Sequence, residues 1–222
     1  MEPVTRAAHS STSVAAYFLL PLTRVFAHLR VTGREHLAGL AGPVLFAANH
    51  QSYLDQPVIL AALPSQFRYR LATAMSREFF QAYFHPEGHG IGKRFRRGLE
   101  YYLATLLFAG FPLPQREAGA RASLRYMGEL ASEGWSILIF PEGEMTDTGA
   151  IRQFQPGAGL IASKASLPVV PVRIIGLDRV LHRTAKFPSP GRVEVRFGKP
   201  IHFSGEDYAG IAKQIEASVR AL

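Results

Sequence analysis

The 222-residue sequence predicts one α/β domain built on a mostly parallel sheet. Short apolar runs of strand length alternate along the chain with stretches of helical periodicity, which is the order a layered α/β domain needs. The chain is also long enough to bury a sizeable core, and a 47% hydrophobic content excludes disorder. Polar clusters follow directly on two of the apolar runs, and open α/β sheets keep their ligands at strand ends.

Residues Val14 to Leu29 carry an amphipathic stripe that includes Tyr17, Phe18, Val25 and Phe26. Pro21 interrupts it, because proline removes a ladder bond and clashes with the preceding turn. Residues 1–30 are therefore expected to be N-terminal amphipathic helices that contact a membrane, with residues 31–222 forming the domain. Arg30 to Gly33 reads as a short strand, Pro43 to Ala48 as a buried strand, and Pro57 to Leu63 as a helix opened by proline. Phe67 to Ala72 is expected to be a third strand and His85 to Gly92 a glycine-rich loop. Ala120 to Glu133 is helical, with Leu124, Met127 and Leu130 on one face and Gly134 as its stop. Gly157-Ala158-Gly159 suits close helix packing. Ile137 to Phe140 and Val169 to Ile175 read as central strands, whereas Arg192 to Phe197 alternates as a half-exposed one. Ser204 and Asp207 bracket the start of a last helix whose face is Tyr208, Ile211, Ile215 and Val219.

With 25 Lys+Arg against 17 Asp+Glu, the net charge of +8 calls for an anionic partner. Phospholipid head groups, coenzyme A phosphates and nucleic acid all qualify on charge. Aromatic residues concentrate in apolar runs and do not interleave with the basic ones, so nucleic acid is not expected. The absence of cysteine removes disulfides, thiolate nucleophiles and thiolate metal sites. His85 and His89 have i, i+4 spacing, but Pro86 and Gly88 between them argue for a loop, and no metal is expected. No run reaches the roughly 18 apolar residues of a spanning helix. Signal-peptide grammar is missing as well. Lys93, Arg94, Arg96 and Arg97 lead into the apolar stretch Leu99 to Phe108. That pattern suits either an anionic leaflet or a core helix with a solvated basic end.

The chemistry concentrates in Asn49-His50-Gln51-Ser52-Tyr53-Leu54-Asp55, which holds the only asparagine of the chain. In a continuous helix five residues advance about 500°, leaving His50 and Asp55 about 140° apart. They meet only if the segment passes from a loop into a helix, and a strand before with a proline-opened helix after allows that. A carboxylate on the Nδ1–H then fixes the tautomer and stabilises the imidazolium formed when the ring takes a proton from a hydroxyl. Phe140-Pro141-Glu142-Gly143 places a second polar cluster at the end of an apolar run.

These two blocks, with Phe111-Pro112-Leu113-Pro114-Gln115-Arg116 between them and the proline-flanked strand Leu167 to Val172 after, resemble the glycerolipid acyltransferase family in order and spacing. That family is typified by 1-acylglycerol-3-phosphate acyltransferases of the PlsC type, and the resemblance runs from about Val31 to Ile201. It implies a mixed sheet of about seven strands flanked by helices. It also implies an O-acyltransferase that moves a fatty acyl group from an acyl-CoA or acyl carrier protein thioester to a hydroxyl of a lysophospholipid or related glycerolipid. His50 and Asp55 match the catalytic pair, with His50 as general base. Arg116, Glu142 and Gly143 match acceptor-binding positions, Arg116 being the one that meets the acceptor's phosphate. Asn49, Phe140 and Pro141 match supporting positions. No metal or bound cofactor is implied beyond the thioester co-substrate. The implied partners are an anionic membrane surface, the donor and a lysolipid acceptor, and the implied location is peripheral or monotopic on a cytoplasmic membrane face. No Gly-x-Ser-x-Gly elbow is present, which favours direct transfer over an acyl-serine route. Backbone N–H groups after His50 or around Gly143 are candidate oxyanion donors.

One departure bears on the acceptor. The family usually continues the third block with Thr-Arg-Ser, and this chain has Glu144-Met145-Thr146. A carboxylate beside a phosphate is repulsive, which weakens phosphate recognition here unless Arg152 or Lys164 compensates. Two other readings stay open: an acyltransferase for a non-phosphorylated acceptor, and a catalytically silent lipid- or acyl-CoA-binding module of a larger protein. The intact His50–Asp55 pair counts against the second.

Overall fold

Residues 23–76, 110–113 and 120–222, apart from 147, 183 and 186, are described by a computed structural model of the chain. Their strands form one sheet because the apolar runs leave no face for water. Residues Leu45–Ala48 and Ser136–Ile139 are buried along their whole length, as expected of strands covered on both sides. In chain order the strands are β1 (Ala27–Thr32), β2 (Leu45–Ala48), β3 (Leu71–Ser76), β4 (Gly110–Leu113), β5 (Ser136–Ile139), β6 (Val169–Ile175) and β7 (Gly191–Phe197). In space the seven run β1-β7-β6-β2-β5-β3-β4. Every neighbouring pair is parallel except β6 and β7, so the sheet is mixed and mostly parallel.

Helices cover both faces. On one, α1 (Asp55–Ala62) packs Val58, Ile59, Leu60 and Ala62 against Phe46 and Ala48 of β2. On the other, Met127 and Leu130 of α3 (Ala120–Ser132) and Ile161 of α4 (Pro156–Lys164) pack with Ile211 and Ile215 of α6 (Tyr208–Arg220). A short helix, α2 (Ser65–Arg68), follows α1, and another, α5 (Leu177–Val180), follows β6. Asp207 caps α6 by accepting from the Gly210 amide, as the sequence suggests. Gly159 permits a close approach of α4 to α6, since a Cβ there would collide with the Tyr208 carbonyl.

Several boundaries differ from those expected. β1 begins at Ala27, inside the stretch read as helix, and pairs in parallel with Gly191–Phe197. The sheet therefore takes residues 27–30 into the domain; residues 1–22 lie outside the described part, as do His85, His89 and the basic run from Lys93. Phe67 is helical, and β3 starts four residues later at Leu71. The cause is local: Pro64 sets an extended N-cap, and Arg68 turns back to donate to the Leu60 and Leu63 carbonyls at the end of α1. Lastly, α1 starts at Asp55, two residues before Pro57.

Among the described residues no helix is long and apolar enough to cross a membrane.

Candidate active site

His50 follows β2, whose neighbours β5 and β6 run parallel to it, so the three strands end together. Asn49 extends that pairing with a side chain. Its Nδ2 donates to the Ile174 carbonyl at 3.0 Å and its Oδ1 accepts from the Ile174 amide at 2.7 Å, as a backbone would. The chain can then leave the sheet at His50 without stranding a buried donor or acceptor on β6.

The turn brings His50 and Asp55 together, as the loop-to-helix passage requires. Their Nδ1 and Oδ2 lie 2.6 Å apart. Asp55 is 1% exposed, and the same Oδ2 also accepts from the Gln51 and Ser52 amides at 2.7 and 3.0 Å. Burial pushes its carboxyl above the ordinary range, opposed by His50 and by those two amides. Its Oδ1 is buried with no partner among the described residues. Phe140 stacks on the imidazole with centroids 4.3 Å apart. With Nδ1 turned to the carboxylate, Nε2 is left for chemistry, and the His50 side chain keeps 24% of its surface open.

Glu142 sits at the end of β5 and is also buried, at 3% exposure. Its two oxygens serve two different loops: Oε1 accepts from the His50 amide and Oε2 from the Arg152 amide, each at 2.7 Å. The Thr146 amide donates back to the His50 carbonyl at 3.0 Å, which completes a double tie between the His50 turn and the third-block loop. Burial again raises the carboxyl, against the lowering effect of the two amides. Gly143 adopts φ 76°, a left-handed conformation, and a Cβ there would meet only Gln155 Cγ at 3.6 Å. Backbone conformation, more than space, selects glycine at this position.

The amides of His50, Gln51, Ser52 and Gly143 all have acceptors, which removes them from the oxyanion donors proposed on sequence. Arg116 lies outside the described residues. Met145, where the family usually has arginine, is 9% exposed, while Glu144 is exposed and pairs with Arg152 at 3.0 Å. Lys164 stands at the far end of α4, about 13 Å along the helix from its start beside the third block. It pairs there with Glu206, so it cannot compensate at the site.

Two positions were not singled out on sequence. Gln51 donates to the Gly149 carbonyl at 2.9 Å and accepts from the Leu177 amide at 3.2 Å, tying the His50 turn to the loops after β5 and β6. Ser52 donates to the Leu181 carbonyl at 2.8 Å. The signal was their polarity inside a segment flanked by buried strand and helix. Among the described residues no group of three His, Asp or Glu side chains converges as a metal site.

A histidine and a buried carboxylate at the end of a central strand in a mixed α/β sheet define the class. A model of the family described as Acyltransferase matches residues 28–175, most of the chain, and the chain belongs to that family. It is 28% identical over 183 residues to the human 1-acyl-sn-glycerol-3-phosphate acyltransferase beta, covering 82% of this chain and 59% of that one. It is 27% identical over 184 residues to a chloroplastic 1-acyl-sn-glycerol-3-phosphate acyltransferase of Arabidopsis thaliana, covering 82% of this chain and 46% of that one. The chain thus spans about half the length of these relatives. The crystal structure of the 1-acyl-sn-glycerophosphate acyltransferase PlsC from Thermotoga maritima superposes with a TM-score of 0.66 at 22% identity. The match covers 98% of this chain and 82% of that one, and establishes a shared fold.

Proposed function

We propose that this protein transfers a fatty acyl group from a thioester, carried by coenzyme A or acyl carrier protein, to a hydroxyl of a lysophospholipid or related glycerolipid. The observation that carries the reading is the 2.6 Å contact between His50 Nδ1 and a buried Asp55 at the end of β2. His50 Nε2 takes the acceptor's hydroxyl proton as that oxygen attacks the thioester carbonyl. A new C–O bond forms, the C–S bond breaks, and the imidazolium returns its proton to the departing thiolate. Asp55 holds the ring in its tautomer and offsets the charge that develops on it. Glu142 acts behind the reacting atoms by fixing the His50 turn to the third-block loop.

Arg116 remains the candidate for acceptor phosphate, with Glu142 and Gly143 shaping the loop beside it. The Glu144–Arg152 pair and the buried Met145 favour acceptors whose phosphate is esterified or absent over a free phosphomonoester. Membrane contact is supported by position. Among the described residues, the exposed large apolar ones Val25, Tyr53 and Phe187 all belong to segments at the end of the sheet where His50 lies. We place the protein peripherally on a cytoplasmic membrane face, with the segment before β1 as its main contact.

The test is incubation of purified protein with labelled palmitoyl-CoA or palmitoyl carrier protein and a panel of lysolipids, followed by separation of the products. Label in a lysolipid product, lost in a folded His50→Ala variant, supports the reading; equal transfer by that variant removes it.

A further inference from the structure

The last helix, α6, lies beyond the residues matched by the family model, yet it reaches the loop that steadies His50. Segment 151–155 of that loop belongs to no helix or strand, so its backbone groups need partners from elsewhere. Two come from the third block. The Arg152 amide donates to Glu142 Oε2 at 2.7 Å, and the Gln155 amide to the Pro141 carbonyl at 2.8 Å. Two more come from α6. The Phe154 amide donates to Glu216 Oε2 at 2.9 Å, and Arg220 donates to the Ile151 carbonyl at 2.6 Å. Glu216 and Arg220 stand four residues apart on one face of α6, and Arg220 Nε donates to Glu216 Oε1 at 2.8 Å.

The apolar contacts agree with these bonds. Phe154 is buried in one cluster with Ile211, Ile215 and Val219 of α6, so helix and segment are packed together. The end of α6 is fastened to the sheet as well. Arg173 of β6 donates to the Arg220 carbonyl at 2.6 Å, one residue before the Ile174 that Asn49 brackets. Among these ties lies a cleft of about 360 Å³, lined by Asn49, Gln51, Ile151, Arg173 and Arg220. With open space there, packing cannot fix the catalytic turn from this side, and hydrogen bonds must. Burial raises the Glu216 carboxyl, but the Phe154 amide and Arg220 outweigh it and hold the group below its ordinary value.

We propose that Glu216 and Arg220 are positioning residues for His50. They hold segment 151–155 where the Arg152 amide meets one oxygen of Glu142, leaving the other for the His50 amide. The inference rests on the acyltransferase reading and adds two residues that act through others. Displacing a catalytic group by about 1 Å can cost as much as about 10²-fold in rate, so a tie this far from the chemistry reaches kcat. Arg125 and Glu129 of α3 make an i, i+4 pair too, but both are exposed and 3.5 Å apart, which supplies a control.

The experiment uses the full chain and compares Glu216→Ala, Glu216→Gln and Arg220→Ala with wild type and with the control Glu129→Ala. Two quantities are read: palmitoyl transfer to a lysolipid, and hydrogen exchange of the His50 amide, which needs no turnover. Glu216→Ala should lower kcat by about 10-fold, near the net worth of one hydrogen bond, with both KM values close to wild type. Its His50 amide should exchange about 10-fold faster while Leu45–Ala48 of β2 exchange as before. Glu216→Gln should recover most of the rate, because its carbonyl oxygen still accepts from the Phe154 amide. Arg220→Ala should shift both readouts the same way but less, since Glu216 still holds Phe154; this half-exposed site carries the test if Glu216→Ala fails to fold. Glu129→Ala should match wild type.

A folded Glu216→Ala protein with wild-type kcat and His50 exchange would overturn the proposal. So would faster exchange spread evenly over β2, which marks general loosening, or a Glu216→Gln protein as slow as Glu216→Ala. A change confined to the lysolipid KM would also overturn it and give the loop to acceptor binding. Selective loosening of the His50 amide, in a protein whose wild type labels no lysolipid, would sink the acyltransferase reading and leave the tie standing.

Discussion

Asp55 and Glu142 close the ends of neighbouring loops with similar means. Each is a buried carboxylate whose ionisation is opposed by burial, and each accepts from two backbone amides. Asp55 gathers all its bonds on one oxygen, adds an imidazole to them and leaves the other oxygen bare. Glu142 divides its oxygens between two loops and touches no ring nitrogen. The contrast separates two kinds of dependence. At Asp55 geometry can be kept while charge is removed, because one carbonyl oxygen can accept all three bonds. At Glu142 it cannot, because an amide would point a donor at a donor.

Mutations at the two turns should therefore diverge. The largest effect is expected from His50→Ala, with acyl transfer down at least about 10²-fold in a folded protein, the usual worth of a positioned base. Asp55→Asn should approach that loss in kcat while its urea midpoint stays at or above wild type. Glu142→Gln should do the reverse, giving up about 1 to 3 kcal/mol of stability through one unmade buried bond and losing activity as the His50 turn loosens. Urea titrations of the two variants measure that directly.

pH offers a gentler separation. The folded carboxyl of Asp55 titrates above the unfolded value of about 4, so its contribution to stability is fullest below that pH and declines as pH rises toward the folded value. Relative to wild type, Asp55→Asn should accordingly gain stability as pH rises from about 4 toward the folded value. A flat difference would show that His50 and the two amides compensate the burial. The smallest change is expected at the surface. Glu144→Gln frees Arg152 and should raise use of lysophosphatidic acid by only a few-fold, since exposed ion pairs are worth about 1 kcal/mol or less.

Much of this contrast was legible before the structure. The loop-to-helix passage that joins His50 to Asp55 follows from spacing and from Pro57, and the central strands follow from their uninterrupted apolar runs. Long-range partners were not legible. Val25, Phe26 and Leu29 fit a helical stripe, yet Ala27, Leu29 and Val31 also alternate, and the pairing with β7 decides between them. Phe67, Tyr69 and Leu71 alternate with polar residues as a strand would, while Arg68 had a hidden task in capping α1. Glu142 has no sequence signal for its true neighbours, since the amides it accepts from lie 92 and 10 residues away.

The most direct measurement follows labelled palmitoyl transfer to a lysolipid by wild type and Asp55→Asn side by side, with the unfolding midpoint of each. The account predicts a variant at least as stable as wild type and slower by about 10²-fold, because charge behind the imidazole has gone and geometry has not. A stable Asp55→Asn protein turning over at the wild-type rate would contradict it.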